Sequence, residues 1–193
     1  MDGSPDIRPA SRFADVAAIL APRKPGAQGC WCLSYRLGPA AAAELVGEAR
    51  GRHVADLCAR PSRAPGVLAY DGDEPIGWAG IAPTSEVRGL VQSARYPTAE
   101  GDVWTLFCFR VRAGRTRGGV ARALLHGAVA YAASQGACAV DAYPVDNHGE
   151  RVDRTLASFG FRALFEEAGF SLRERLDVRR GGFQVVAMRR SLV

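Results

Sequence analysis

Residues 103–111, Val-Trp-Thr-Leu-Phe-Cys-Phe-Arg-Val, are apolar at almost every position. A segment of this kind sits as a central strand covered on both faces, because neither side tolerates water. A glycine/arginine loop follows at 114–119. Next comes a stretch in which Val120, Leu124 and Ala128, and beside them Ala121, Leu125 and Val129, recur every four residues. That spacing predicts a helix over 120–135 with one apolar face, closed by Gly136. Residues 137–143 return as a strand and stop at Pro144. A strand–loop–helix–strand unit of this length closes as a right-handed parallel crossover. The fold is thereby confined to a sheet with helices packed on it.

The remainder of the chain fits around that unit. A short helix is expected over 13–20, then a Pro/Gly-rich connection at 22–29, a strand at 30–36 and helix over 39–60. Residues 67–70 and 76–81 flank Asp71-Gly72-Asp73-Glu74-Pro75 and read as a hairpin. Residues 84–102 read as a loop with a helical turn. A short helix is expected over 161–168, and two last strands, 170–176 and 184–189, flank the turn Arg179-Arg180-Gly181-Gly182. This order predicts a mixed α/β (α+β) fold with one central mixed sheet of about six to seven strands. At 193 residues the chain supports one sizeable core, so residues 1–193 are read as a single domain, with 1–29 its N-terminal helix and connection.

Composition excludes several classes. Hydrophobic residues make up 48% and charged residues 23% of the chain, the balance of a packed globular protein. The start, Met1-Asp2-Gly3-Ser4-Pro5, lacks the basic and apolar segments of a secretory signal. The longest apolar run, 103–109, is too short to cross a bilayer. A cytoplasmic location and no membrane partner are expected. The net charge of +5 is almost all arginine, Lys24 being the sole lysine. These arginines are interleaved with acids and form no compact basic run, so nucleic acid is not expected as a partner. The cysteines Cys30, Cys32, Cys58, Cys108 and Cys138 are odd in number, which argues against a disulfide framework. Cys108 and Cys138 read as buried small hydrophobes. Neither the cysteines nor His53, His126 and His148 show metal-ligand spacing.

The loop ahead of the 120–135 helix carries the chemistry. The first amides of a helix lack intrahelical acceptors and lie at the positive end of its dipole, which suits an anion. Gly118 and Gly119 let a phosphate approach the backbone, and Arg117 and Arg122 add charge. The competing reading is a tight strand-to-helix turn. Neither G-x-x-x-x-G-K-S/T nor G-x-G-x-x-G is present.

Residues 109–125 with Gly136-Ala137 resemble the cofactor motif of the GCN5-related N-acetyltransferases (GNAT). Thr116-Arg117-Gly118-Gly119-Val120-Ala121 follows the pattern Gln/Arg-x-x-Gly-x-Gly/Ala at Gly119 and Ala121 and departs from it at Thr116. Phe165-Glu166-Glu167-Ala168-Gly169-Phe170 resembles the family's Tyr-Glu-x-x-Gly-Phe, and the hairpin falls at its second and third strands. The likeness covers residues 66–190. Cys30-Trp31-Cys32, residues 104–111 and Tyr143-Pro144-Val145-Asp146 are similar to a bacterial subgroup. The resemblance implies acetyl-CoA as co-substrate, with its diphosphate at Arg117, Gly118, Gly119, Val120, Ala121 and Arg122. It implies that the pantetheine arm pairs with the backbone of Phe109, Arg110 and Val111, where an amide also stabilises the oxyanion.

The resemblance offers Asp141 as the base that takes the amine's proton, with Asp102 as second choice; Asp141 reads equally as a solvated strand residue or an arginine's partner. Thr105 stands where some relatives carry a catalytic glutamate, and can hold only a water. Phe165 replaces the family's tyrosine acid, which leaves Tyr143 as substitute acid or simply as packing. Residues 148–158 read as an insertion beside the acceptor. Cys30, Trp31 and Tyr35 line the acceptor pocket or pack the core. The implied activity is transfer of acetyl to a primary amine, of a small molecule rather than a protein, and a homodimer is left open. The alternative is a module that binds acyl-CoA without turnover.

Overall fold

The computed structural model describes residues 4–24, 27–97, 99, 101–115, 119–150 and 158–192. The strands are β1 (Asp6–Pro9), β2 (Gly66–Asp71), β3 (Glu74–Pro83), β4 (Val103–Val111), β5 (Ala139–Ala142), β6 (Val145–Asp146), β7 (Ser171–Arg180) and β8 (Phe183–Ser191). The helices are α1 (Phe13–Leu20), α2 (Pro39–Glu44), α3 (Glu48–Cys58), α4 (Arg88–Val91), α5 (Val120–Ser134) and α6 (Arg162–Glu167), and a 3-10 turn covers Thr84–Glu86. Among the described residues the sheet has eight strands. β1, β2, β3 and β4 run antiparallel in that order, β4 pairs parallel with β5, and β5 pairs antiparallel with β8. β7 lies against β8, and β6 pairs the far end of β8 in the register that β5 began. β5 and β6 are thus one line interrupted at Tyr143-Pro144, which brings the count to the upper end of the expected range.

β4 and α5 form as the sequence reading expects. The helix buries Val120, Leu124, Leu125, Ala128, Val129 and Ala132 against the sheet, each large side chain contributing about 1.5–3 kcal/mol. Gly127 lets it approach β1 closely: a Cβ there would lie 2.3 Å from the side chain of Ile7. The core is split by the sheet. One layer lies under α5 and α6, with Leu106, Leu124, Val140 and Phe165; the other lies under α1 and α3, with Val16, Trp31, Leu57, Phe107 and Tyr143.

Three expectations are corrected. Residues 30–36 form turns, not a strand: Leu33 N–H donates to Cys30 O at 3.0 Å and Leu37 N–H to Leu33 O at 2.9 Å, with positive φ at Trp31 and Cys32. Cys32 is disulfide-bonded to Cys108 across a sequence separation of 76, so an odd cysteine count did not exclude a bridge. Helix over 39–60 is broken into two, with Gly47 at φ 54 ahead of α3. β1 was not anticipated.

Candidate active site

A single extra residue shapes the centre of the sheet. The β3–β4 register shifts between Gly80 and Ile81, which pair with Cys108 and Leu106, so Phe107 is bulged. A bulge bends its strand, and β4 pairs with β5 only as far as Leu106 and Ala142. Beyond that point the two lines diverge, and residues 158–161 lie between them. Phe109 N–H donates to Ser158 O at 2.7 Å, Val145 N–H donates to Gly160 O at 3.0 Å, and Val145 forms a parallel bridge with Phe161.

The loop end of β4 is held by acids of the β2–β3 hairpin. Arg115 meets Asp71 at 2.7 Å and Glu74 at 3.1 Å, and Arg112 also pairs with Glu74. At the mouth of α5, Gly119 is the N-cap with φ 70, a left-handed conformation that glycine adopts without strain. Among the described residues no side chain caps the helix, and the amides of Val120, Ala121 and Arg122 lie in its first turn, where no intrahelical acceptor precedes them. The Arg122 guanidinium reaches Glu167 at 2.5 Å. An open groove of 530 Å³ runs from this turn between α5 and β1, lined by Pro5, Ile7, Gly119, Arg122, His126 and Gly127 among others. Arg117 and Gly118 lie outside the described residues, as does Thr116. These observations fit a diphosphate at the helix mouth.

The three residues expected along the pantetheine arm do not behave alike. Arg112 N–H donates to Ile76 O at 2.9 Å. Alternation therefore turns the main chain of Arg110 toward β3, and that of Phe109 and Val111 toward the opposite edge. Arg110 is thus not on the edge that the expectation required, because its backbone is committed to the sheet. Phe109 is on that edge, and Ser158 of the same chain occupies its amide.

The proposed acid–base residues are also separated. Thr105, Asp141 and Arg189 stand abreast across β4, β5 and β8. Arg189 Nε and Nη2 donate to the two Asp141 oxygens at 2.6 and 2.7 Å. Asp141 is therefore buried as an arginine's partner, with one further acceptor site on each oxygen. Tyr143, two residues on, is buried, and its hydroxyl donates to Pro97 O at 3.0 Å. Burial, and after it the charge of Asp141, pushes this phenol well above its ordinary range, so it keeps its proton. Thr105 is buried and shares a 2.8 Å hydrogen bond with Thr84. Asp102 is exposed before β4 begins, seven residues or about 23 Å of extended chain from Phe109. It is not brought to the others. Phe165 is fully buried against Phe109 and Phe170 and serves packing.

The sequence reading missed much of what converges on the face that carries Tyr143. Tyr35 packs on Phe159 at 4.6 Å, Tyr96 meets Tyr143 edge-on at 5.0 Å, and Arg180 lies 4.3 Å over the Phe159 ring. The disulfide ties the turn at 30–36 to β4 beside them. Cys30 is free, its Sγ 3.1 Å from Ser34 Oγ.

The acetyltransferase (GNAT) family model matches residues 35–161. The chain belongs to that family. It is an N-acetyltransferase, and acetyl-CoA is its co-substrate. Solved structures share the fold. A GCN5-related N-acetyltransferase from Kribbella flavida is 19% identical with TM-score 0.54, covering 97% of this chain and 98% of its own. A ribosomal-protein-alanine N-acetyltransferase from Brucella melitensis is 18% identical with TM-score 0.55, covering 97% and 99%. The PaiA N-acetyltransferase from Thermoplasma acidophilum, solved in complex with coenzyme A, is 11% identical with TM-score 0.52, covering 98% and 99%. No curated protein matches the sequence. Among the described residues no helix of this GNAT protein is long and apolar enough to cross a membrane.

Proposed function

We propose that this GNAT protein transfers acetyl from acetyl-CoA to the primary amine of a small molecule by direct attack. The observation that carries the reading is the bare, glycine-led first turn of α5, set at the end of a strand that the Phe107 bulge bends away from its neighbour. In this reading the diphosphate rests on the amides from Gly119 to Arg122, with Arg117 and Gly118 completing the loop. The pantetheine arm follows the outer edge of β4 at Phe109 and Val111, and the Phe109 amide exchanges Ser158 O for the oxyanion. Holding the amine against the thioester supplies much of the acceleration. Asp141 takes the amine's proton on an oxygen lone pair that Arg189 leaves open, and Tyr143, keeping its proton, turns its O–H from Pro97 O to hydrogen-bond the departing sulfur. A small molecule is favoured over a basic protein tail because the charged group at the centre of the acceptor-side aromatics is a cation, Arg180.

The test is release of free coenzyme A thiol on incubation with acetyl-CoA and a panel of amines. Turnover on a small amine, cut at least about tenfold in Asp141→Asn with unchanged coenzyme A affinity, is the expected result. Tight coenzyme A binding with no thiol release on any amine would favour a sensor module instead.

A further inference from the structure

We propose that Arg180 is the anion anchor of the acceptor site, so that the acceptor is an amine bearing a carboxylate or phosphonate group. This rests on the acetyltransferase reading above and names its substrate class.

The argument comes from how the other buried or half-buried arginines are satisfied. Arg36 donates to Pro65 O at 2.9 Å and lies 3.6 Å from Glu86. Arg50 reaches the carbonyls of Leu45, Gly29 and Ala42. Arg189 grips Asp141 with two bonds, and Arg190 donates to Ala168 O at 2.8 Å. Arg180 differs from all of them. Its Nη2 donates to the phenol oxygen of Tyr96 at 3.0 Å, and its Nε is buried with no partner. Among the described residues no carboxylate lies within ion-pair distance of it. Its guanidinium carbon instead lies 4.3 Å from the Phe159 ring centre and 5.2 Å from that of Tyr35.

Among the described residues this cation rests on aromatic faces and neutral phenol hydroxyls, and its Nε–H has no acceptor, which is costly in a desolvated site. Nε and Nη2 form one edge of the guanidinium fork, the edge with which Arg189 holds both oxygens of Asp141. That edge matches two oxygens of a carboxylate or phosphonate. An incoming anion takes one oxygen to Nε and shares Nη2 with, or displaces, Tyr96.

The place is right for the acceptor. Arg180 ends β7 on the face that carries Tyr143 and Cys108. The ring it covers, Phe159, follows Ser158, whose carbonyl sits on the Phe109 amide. A small molecule anchored at Arg180 therefore extends its amine toward the strand edge where the thioester is proposed to lie.

The experiment compares matched amines in the thiol-release assay: proteinogenic amino acids, their α-amides, and the corresponding aminophosphonates. In parallel, the N-acetylated acids and N-acetylated amides are titrated into the protein with coenzyme A bound, followed by tryptophan fluorescence. The expected result is a preference for the anion over the amide of roughly tenfold or more in kcat/KM and in product affinity. Arg180→Met should reduce it to less than about twofold while coenzyme A affinity is kept, and Arg180→Lys should restore part of it. A carboxylate or a phosphonate leading the series says which anion is used. Equal affinity for N-acetylated acid and amide in the wild type overturns the proposal. Failure to acetylate any amine would count against the transferase reading, while the product titration would still decide Arg180 separately.

Discussion

The two faces of the central strand are built from different materials. Under α5, β4 meets an apolar helix face, and the proposed donor site is main chain: an αL glycine and the first amides of a helix. On the other face, position is set by side chains far apart in sequence. These are the Cys32–Cys108 bond, the Asp141–Arg189 pair and the group of Tyr35, Tyr96, Tyr143, Phe159 and Arg180. A main-chain site depends on local conformation, and so on a short motif. A side-chain site depends on the tertiary fold and can be changed without disturbing the first. On this account, donor binding and acceptor choice are separable properties of the molecule.

The sharpest way to break that contrast is Gly119→Glu. Nothing lies within 4 Å of a Cβ there, so the fold loses only the strain of positive φ, about 1–2 kcal/mol. The carboxylate nonetheless stands against the proposed diphosphate. Coenzyme A affinity should fall by more than about 100-fold in calorimetry, with the thermal transition little moved. On the opposite face, Cys32→Ser should lower stability by about 2–4 kcal/mol in urea unfolding. It should also raise the thiols titrated in denaturant from the three of Cys30, Cys58 and Cys138 to include Cys108. Coenzyme A affinity should change far less than in Gly119→Glu.

The smallest effect concerns Asp146 of β6, which is buried beside Arg162 at 2.9 Å, Arg175 at 3.3 Å and His148 at 3.3 Å. Burial pushes its carboxyl up, but the hydrogen bond and charge of Arg162 and the charge of His148 outweigh that and hold it below the ordinary value. A depressed carboxylate adds stability above its unfolded pKa, near 4, and loses it as pH falls through the folded value. The melting-temperature gap between wild type and Asp146→Asn should therefore be full at pH 6 and close as the pH is lowered below about 4. A gap constant with pH would mean that the cluster contributes by packing alone.

The same contrast explains what the sequence revealed. β4, α5 and the hairpin were legible because their periodicity is local, and Gly119 because helix mouths have a short signature. β1 was not, since Asp6–Pro9 is a mostly exposed edge segment with a proline and no apolar alternation. The turn at 30–36 has the alternation of a strand, but Trp31 and Cys32 take positive φ and Cys32 is bonded to β4. Tertiary contact there overrides pattern. Arg180 looked like one arginine of a hairpin turn, and only the folded chain shows that its Nε has no acceptor.

The most direct test of the account is a crystal structure with coenzyme A bound. The prediction is a diphosphate within hydrogen-bonding distance of the amides of Gly119 to Arg122, with the pantetheine arm along Phe109 and Val111 and Ser158 O displaced from the Phe109 amide. Coenzyme A bound away from the first turn of α5, with the Phe109–Ser158 bond intact, would contradict it.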